Sequence, residues 1–283
     1  MNRFSEQLRI EILRSVAQAL AEDVGTGDLT AQLISDQASA RGRVITRQDA
    51  VLCGTAWFDA VFQILDPESS VIWHAKDGDR VKEGQALCDI FANARALLTA
   101  ERTALNFLQM LSGTSTTTAL YVEAVAGTKA RVVDTRKTLP GLRLAQKYAV
   151  RMGGGANHRF GLYDGILVKE NHIIAAGSVT AAMKRAQELA HANVFIEIEI
   201  ENLGQLEEAL NAGARLILLD NLDIAQMSEA VKITAGRAQL EASGGVKLAR
   251  VKEIADTGVD RISIGALTKD LRAVDLSLRH IEE

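Results

Sequence analysis

The sequence predicts a mixed α/β protein whose C-terminal half is a parallel sheet wrapped by crossover helices, an irregular, open TIM-like barrel. After Gly127, short apolar strands alternate with amphipathic helical patterns, the order expected of parallel strands joined by crossovers. Six such strands can be read there, short of the eight that close a barrel. A doubly wound open sheet would alternate in the same way and is the second choice, because no convincing G-x-G-x-x-G follows a strand.

The elements follow in order. Leu8, Ile12, Val16 and Leu20 recur at helical spacing behind Ser5, a predicted N-cap, and the pattern stops at Asp23-Val24-Gly25. From Arg43 to about Ile90 the rhythm is that of short strands (Gly42–Thr46, Val71–Trp73, Ala86–Cys88) around one helix, Trp57–Leu65. Lys76–Gln85 sets two turn signals around a strand-like step. It resembles the hairpin of biotinyl and lipoyl carrier domains. Those carry a modified lysine in a Met-Lys-Met type turn shortly afterwards, where this chain has Phe91-Ala92-Asn93-Ala94-Arg95, which disfavours a swinging-arm carrier. A long helix is predicted from Asn93 to Leu111, ended by Ser112-Gly113, with the polar stripe Arg102, Asn106, Gln109 opposite Leu98, Leu105 and Leu108. Strands are then predicted at Arg131–Val133, Ile166–Val168, Val194–Ile200, Leu216–Leu219, Gln239–Ala242 and Arg261–Ile264, with helices at Leu142–Met152, Val179–His191, Leu203–Ala212, Ile224–Thr234 and Leu248–Thr257.

Composition narrows the function. With 32 Lys and Arg against 36 Asp and Glu, the net charge of −4 argues against a nucleic-acid or anionic-membrane partner, either of which needs a broad basic face. Cys53 and Cys88 are far apart, form no CxxC and sit in apolar surroundings, so they read as reduced, buried thiols. No run reaches membrane-span length and the N-terminus is amphipathic, so a soluble, cytoplasmic protein is expected.

The cations that do occur are concentrated between Asp134 and Lys169, in Arg136-Lys137 and in Gly153-Gly154-Gly155-Ala156-Asn157-His158-Arg159. Such a cluster at segment ends, beside glycines, suggests a pocket for a small polyanion. The glycine run also reads as a helix stop, His158 as a structural residue and His172 as a hydrogen-bonded strand-end residue. In Phe195–Glu201, Glu197, Glu199 and Glu201 share one face of a strand. If they face a barrel interior they need cations, and Lys169, Lys137 and Arg136 are available; solvated glutamates on an edge strand are the alternative. Asp220 could cap the next helix. Together with Glu199 at the preceding strand end, it makes a better case for a magnesium site of hard oxygen ligands. Ser243-Gly244-Gly245 and Gly265 follow the last two strands, where barrels bind phosphate through backbone N–H groups, although tight turns alone also use such glycines.

Taken together, Asp134-Thr135-Arg136-Lys137-Thr138-Leu139-Pro140-Gly141-Leu142-Arg143, Lys147-Tyr148-Ala149-Val150, Gly153–Arg159, Lys169-Glu170-Asn171-His172, Glu199, Leu219-Asp220-Asn221 and Glu241-Ala242-Ser243-Gly244-Gly245 resemble the quinolinate phosphoribosyltransferase family. Glu22-Asp23 with Gly27–Thr30, and Glu101–Asn106, extend the resemblance over nearly the whole chain. Ser112-Gly113-Thr114-Ser115-Thr116 departs from it, since the family usually has a more apolar pair after the glycine. The resemblance implies an N-terminal α/β sandwich (residues 1–110, with 272–283 packing back on it) and an open barrel domain (residues 111–271). It implies transfer of phosphoribose from phosphoribosyl pyrophosphate (PRPP) to quinolinate with decarboxylation, in NAD synthesis, and a homodimer with further assembly to a hexamer left open. Carried onto matching positions, it places Arg136, His158, Arg159 and Lys169 on the quinolinate carboxylates and Lys137 at the junction with pyrophosphate. Arg102 would come from the neighbouring subunit, Glu199 and Asp220 would hold ribose hydroxyls and Mg2+, and Ser243, Gly244, Gly245 and Gly265 would cradle the 5-phosphate. Lys137, Glu199 and Asp220 are thus the expected catalytic residues. A related phosphoribosyltransferase acting on another acid, and a non-catalytic small-anion carrier, are the alternatives.

Overall fold

The computed structural model describes residues 3–281. Its contacts group into two compact units, one taking the chain up to Ala119, Thr138–Gly154 and the chain from Asp270 onward, the other Leu120–Lys137 and Gly155–Lys269. No helix among the described residues is long and apolar enough to cross a membrane.

The N-terminal elements are α1 (Arg3–Asp23), β1 (Ser39–Thr46), β2 (Ala50–Val51), α2 (Thr55–Leu65), β3 (Ser70–Trp73), β4 (Arg80–Val81), β5 (Ala86–Asn93) and α3 (Ala94–Ala124). The helix α1 already begins at Arg3, so Ser5 lies inside it instead of capping it, and the Ser5 side chain falls outside the described residues. In α2, Trp57, Phe58, Val61 and Phe62 are fully buried, one stripe of a helix set against the core. Trp57 is tied to α1 by its indole N–H, which donates to Ser15 Oγ at 3.1 Å. The Lys76–Gln85 segment is not a self-paired hairpin, because β4 pairs antiparallel with β2.

The long helix does not stop at Ser112-Gly113. It runs through them to Ala124, across the predicted domain boundary at residues 110 and 111. Gly113 is a packing position: a Cβ there would lie 2.2 Å from the Arg272 carbonyl oxygen, so only glycine admits that backbone. The hydroxyl-rich stretch that departs from the family pattern has a matching role. Ser112 Oγ accepts from Cys53 N and donates to Cys53 O, Ser115 Oγ donates to Val51 O, and Thr116 Oγ1 accepts from Val51 N. These hydroxyls satisfy backbone groups of Val51 and Cys53 that would otherwise be buried without partners.

The remaining elements are β6 (Arg131–Val133), α4 (Arg143–Met152), β7 (Gly165–Val168), α5 (Glu170–Ala176), α6 (Val179–Leu189), β8 (Phe195–Ile200), α7 (Leu203–Asn211), β9 (Leu216–Asp220), α8 (Ile224–Thr234), β10 (Gln239–Ser243), α9 (Leu248–Asp256), β11 (Arg261–Ser263), α10 (Ala266–Lys269) and β12 (Leu276–His280). The first unit carries an antiparallel sheet ordered β12-β1-β5-β3. The second carries a six-stranded parallel sheet ordered β6-β11-β10-β9-β8-β7. From β7 to β11 each strand pairs with its successor, and β6 joins the far edge beside β11. A doubly wound sheet would reverse direction at a switch point; this order never does. It is a barrel order opened between β6 and β7, and no ladder joins those two among the described residues. The chain leaves this unit between Lys137 and Gly155.

Candidate active site

Parallel register places the functional side chains on one face. Leu167 pairs with Glu197, Glu199 with Leu218, Glu241 with Leu218, Ser243 with Asp220, and Glu241 with Arg261. Side chains at alternate positions point the same way, so Glu197, Glu199, Asp220, Glu241, Ser243, Arg261 and Ser263 share the concave face. At its carboxyl end a cavity of about 420 Å³ is lined by Arg136, Lys137, His158, Arg159 and Lys169 on the basic side and by Glu199, Asp220, Glu241 and Ser243 on the other.

The basic side is assembled from three segments. Lys137 follows β6; its N–H donates to Thr135 Oγ1 at 3.1 Å and its carbonyl accepts from Thr268 Oγ1 at 2.7 Å. Its side chain lies across Gly265, where a Cβ would come within 3.1 Å of Lys137 Cδ. The segment carrying His158 and Arg159 is anchored to β6 by a parallel bridge from Val133 to Ala156. Asp134, fully buried, accepts from Asn157 Nδ2 at 2.6 Å and from His158 N at 2.9 Å. Arg159 Nη1 donates to Gly165 O at 2.9 Å. Burial lowers the Arg159 pKa from its ordinary value, and the positive charge of Arg136 lowers it further, with Glu197 and Asp164 opposing. Two guanidinium groups on one partly desolvated wall make a favourable place for an anion. Lys169 is the N-cap residue of α5, and its N–H donates to His172 Nδ1 at 2.9 Å. His172 is therefore a capping residue in the first turn of a helix, not a strand-end residue; the short α5 gave no periodic signal in the sequence.

On the acidic side, Lys169 Nζ meets Glu199 Oε2 at 3.0 Å. Asp220 does not cap the next helix, because Asp223 does so and accepts from Gln226 N. Instead Asp220 Oδ2 accepts from Asn221 Nδ2 at 3.1 Å. Asn221 itself has φ 54°, and Gly244 packs on it so closely that a Cβ would sit 2.1 Å from Asn221 Oδ1, with Gly244 at φ 112°. The Ser243-Gly244-Gly245 turn is thus fixed at the end of β10, ahead of α9.

The three glutamates of Phe195–Glu201 do not behave alike. Glu199 pairs with Lys169 as expected, but Glu201 lies beyond the strand and is exposed. Glu197 is fully buried, and its partner is His158 instead of any lysine or arginine: Nε2 lies 2.6 Å from Glu197 Oε2. Glu241, also fully buried, lies 3.0 Å from Arg261 Nε and 3.7 Å from His158 Nε2. Burial, and then the charge of Glu197, raise its carboxyl from 4.5 to about 7. Glu197, Glu241 and Arg261 were missed as a group. Strand alternation was the available signal, but the pairing across strands needed the register.

Arg136, Lys137, His158, Arg159, Lys169, Glu199, Asp220 and Ser243 are therefore gathered on one cavity. Gly244 and Gly245 continue from Ser243, and Gly265 seats Lys137. Arg102 is not in this lining; it is exposed on α3 in the other unit, on a polar stripe with Asn106, while Leu97, Leu105 and Leu108 form the buried stripe and Leu98 is half-buried. Gly153 is the C-cap of α4, so the start of the glycine run is a helix end. Cys53 and Cys88 are free and buried, and burial raises both thiol pKa values.

Comparison with known proteins places the chain among relatives in sequence and fold. Residues 28–112 match the model of the quinolinate phosphoribosyl transferase N-terminal domain, and residues 114–279 that of its C-terminal domain. The chain is similar to a probable nicotinate-nucleotide pyrophosphorylase (carboxylating) of Bacillus subtilis, 43% identical over 257 residues, covering 91% of this chain and 89% of that protein. It is equally similar to the nicotinate-nucleotide pyrophosphorylase (carboxylating) of Mycobacterium leprae, 43% identical over 274 residues, with 93% and 95% covered. The solved nicotinate-nucleotide pyrophosphorylase of Francisella tularensis superposes with a TM-score of 0.92 at 43% identity, covering 96% of this chain and 97% of that one.

Proposed function

This chain belongs to the quinolinate phosphoribosyl transferase family, and we infer that it catalyses the decarboxylating transfer: PRPP and quinolinate give nicotinate mononucleotide, carbon dioxide and pyrophosphate in NAD biosynthesis. One observation carries the assignment at the level of chemistry: four lysine and arginine side chains and three carboxylates, from separate segments of the chain, line one cavity. An acidic protein binding a dicarboxylate together with a triply phosphorylated sugar needs such a dedicated cationic pocket.

In this reading Arg136, Arg159 and Lys169, with His158 beside them, receive the two carboxylates of quinolinate, and Lys137 lies where the pyridine ring meets pyrophosphate. Ser243, Gly244, Gly245 and Gly265 receive the 5-phosphate of ribose. Glu199 and Asp220 take ribose hydroxyls, and they are the residues that would hold Mg2+, being carboxylates on adjacent strands with side chains on one face of the cavity. A bound ion would supply charge compensation for the phosphates. The ring nitrogen attacks C1 of ribose as the bond to pyrophosphate breaks and carries its electron pair away, and Lys137 stabilises the departing negative charge. No enzyme nucleophile is needed, and positioning and electrostatics carry the step. The quaternised nitrogen then draws electrons from the ring, the carboxylate next to it leaves as carbon dioxide, and a proton replaces it. Arg136 and Arg159 orient that carboxylate for departure.

The proposal includes a homodimer in which Arg102 of one copy reaches the cavity of the other; the exposure of Arg102 on α3 supports this. It also includes a cytoplasmic location, supported by two free, buried cysteines. The test is incubation with quinolinate, PRPP and Mg2+, omitting each in turn. Carbon dioxide and nicotinate mononucleotide should appear in equal amounts only when the full set is present. Turnover of nicotinate, with no carbon dioxide released from quinolinate, would assign the site to another acid.

A further inference from the structure

Beneath the cavity lies an arrangement that the transfer reaction does not use directly. Glu197 is fully buried and is not part of the cavity wall, so it touches no substrate. It nevertheless lies 2.6 Å from His158, which is on the wall. The two ring nitrogens of His158 have different neighbours: Nδ1 accepts the backbone N–H of Arg159 at 2.7 Å, and Nε2 faces Glu197 Oε2 at 2.6 Å. A ring nitrogen that accepts a hydrogen bond carries no proton, so the hydrogen-bond pattern assigns the ring proton to Nε2.

We propose that Glu197 is a positioning residue for Arg159: by accepting the Nε2 proton of His158 it locks the ring so that Nδ1 holds the Arg159 backbone, and thereby sets where the Arg159 guanidinium enters the cavity. The surroundings leave the ring little freedom. The His158 N–H is held by Asp134 at 2.9 Å, and its ring meets Phe195 edge-on with centroids 5.6 Å apart. Arg159 Nη1 is tied in turn to Gly165 O, at the start of the strand that pairs with β8. The chain of contacts from Glu197 through His158 and Arg159 to Gly165 begins and ends on two hydrogen-bonded strands.

This changes the part expected of His158. With Nδ1 accepting and the Nε2 proton directed at Glu197, the ring supports the carboxylate-binding wall without donating to substrate. It also argues against a metal ion among His158, Glu197 and Glu241, whose ligand atoms lie within 4.8 Å of one another. Coordination through Nε2, with Nδ1 still accepting, would leave the ring with no proton at all.

The inference rests on the quinolinate reading only for what Arg159 binds, and the tests separate the two. Nitrogen NMR of the full-length protein with labelled histidine should show His158 protonated at Nε2 and unprotonated at Nδ1 near neutral pH. A proton on Nδ1 would overturn the proposal whatever the substrate is. Glu197→Met keeps the length and removes the acceptor. It should raise KM for quinolinate about 10- to 100-fold while KM for PRPP changes less than about 3-fold, the scale expected of a misplaced binding group. Glu197→Gln, whose carbonyl oxygen still accepts, should restore most of that loss. A Glu197→Met enzyme with native thermal stability and unchanged KM for quinolinate would show that the pair is only structural. If Glu197→Met does not fold, the tautomer in the native protein still decides the matter.

Discussion

Lys169 Nζ lies 3.0 Å from Glu199 Oε2, and this ion pair joins the basic flank of the cavity to its acidic flank. The two residues stand at the ends of neighbouring parallel strands, β7 and β8, in a register that pairs Val168 with Ile198. Half of the lysine side chain is exposed, so the pair adds little to folding and its lysine is available to an anion. Lys169→Ala should therefore lower kcat/KM for quinolinate by about 100-fold, a size typical of one lost charged contact. The thermal midpoint should hardly move. A large fall in the midpoint with intact kinetics would reverse the assignment.

Lys137 has a different setting. It is exposed, its main chain is held by Thr135 and Thr268, and its side chain lies over Gly265. Lys137→Ala should reduce turnover by about 100- to 1000-fold, as removal of one preorganised transition-state contact does, with the fold unchanged. Gly265→Ala tests the seat: a methyl group 3.1 Å from Lys137 Cδ should displace the chain and cost a smaller factor, measured as kcat with both substrates saturating. Equal rates for Gly265→Ala and wild type would mean that Lys137 works from another rotamer.

At Gly244 two constraints coincide, a φ of 112° and a Cβ position 2.1 Å from Asn221 Oδ1. Gly244→Ala should raise KM for PRPP by about 10-fold or more and lower the thermal midpoint, because strained backbone costs on the order of 1–3 kcal/mol. Asn221→Gly in the same chain removes the clash but not the φ constraint, so the double variant should recover only part of the loss. Full recovery would show that the contact alone decides the position.

What could be read in advance follows from which forces act locally. The alternation of β7 through β11 with their helices was legible, because each strand and each amphipathic helix writes its period in a few neighbouring residues. Helix α3 was not legible past Gly113, since the reason for that glycine is the Arg272 carbonyl 159 positions along the chain. The pairing of β12 with β1 joins residues from opposite ends of the sequence, and it was the family resemblance, which packs 272–283 back on the N-terminal domain, that pointed to it and not any local pattern. Among the site residues, Arg136, Lys137, Lys169 and Asp220 announce themselves as charges at strand ends. Glu197 looked equivalent to Glu199 and Glu201, and only the fold separates a carboxylate buried against His158 from one that is solvated.

Glu241 gives the fold a pH dependence with a definite sign. Its carboxyl is raised from 4.5 to about 7, first by burial and then by the charge of Glu197, against the opposing effects of His158, Arg261 and Ser263. The folded protein therefore binds a proton more tightly than the unfolded chain does. The stability this confers is complete below 4.5 and is lost as pH rises through about 7. Glu241→Gln cannot lose that proton. Measured from about pH 5 to about pH 8, the midpoint of wild type should fall relative to that of Glu241→Gln. Parallel curves would place the raised carboxyl elsewhere.

Arg102 lies on the exposed stripe of α3 and does not line the cavity formed by the parallel-sheet unit. If it completes the cavity of a second copy, Arg102→Ala and Lys137→Ala, each nearly inactive, damage different halves of a shared site. A mixed dimer would then contain one cavity with both residues intact and one with neither. Random mixing of equal amounts yields half mixed dimers, each with one working site out of two, so about one quarter of wild-type activity should return. Activity that stays at the level of the separate variants, while native mass measurements show that the subunits have exchanged, would mean that each copy works alone and that Arg102 acts elsewhere. Dilution adds a second reading: specific activity should fall with dimer dissociation in wild type, which self-contained subunits would not show.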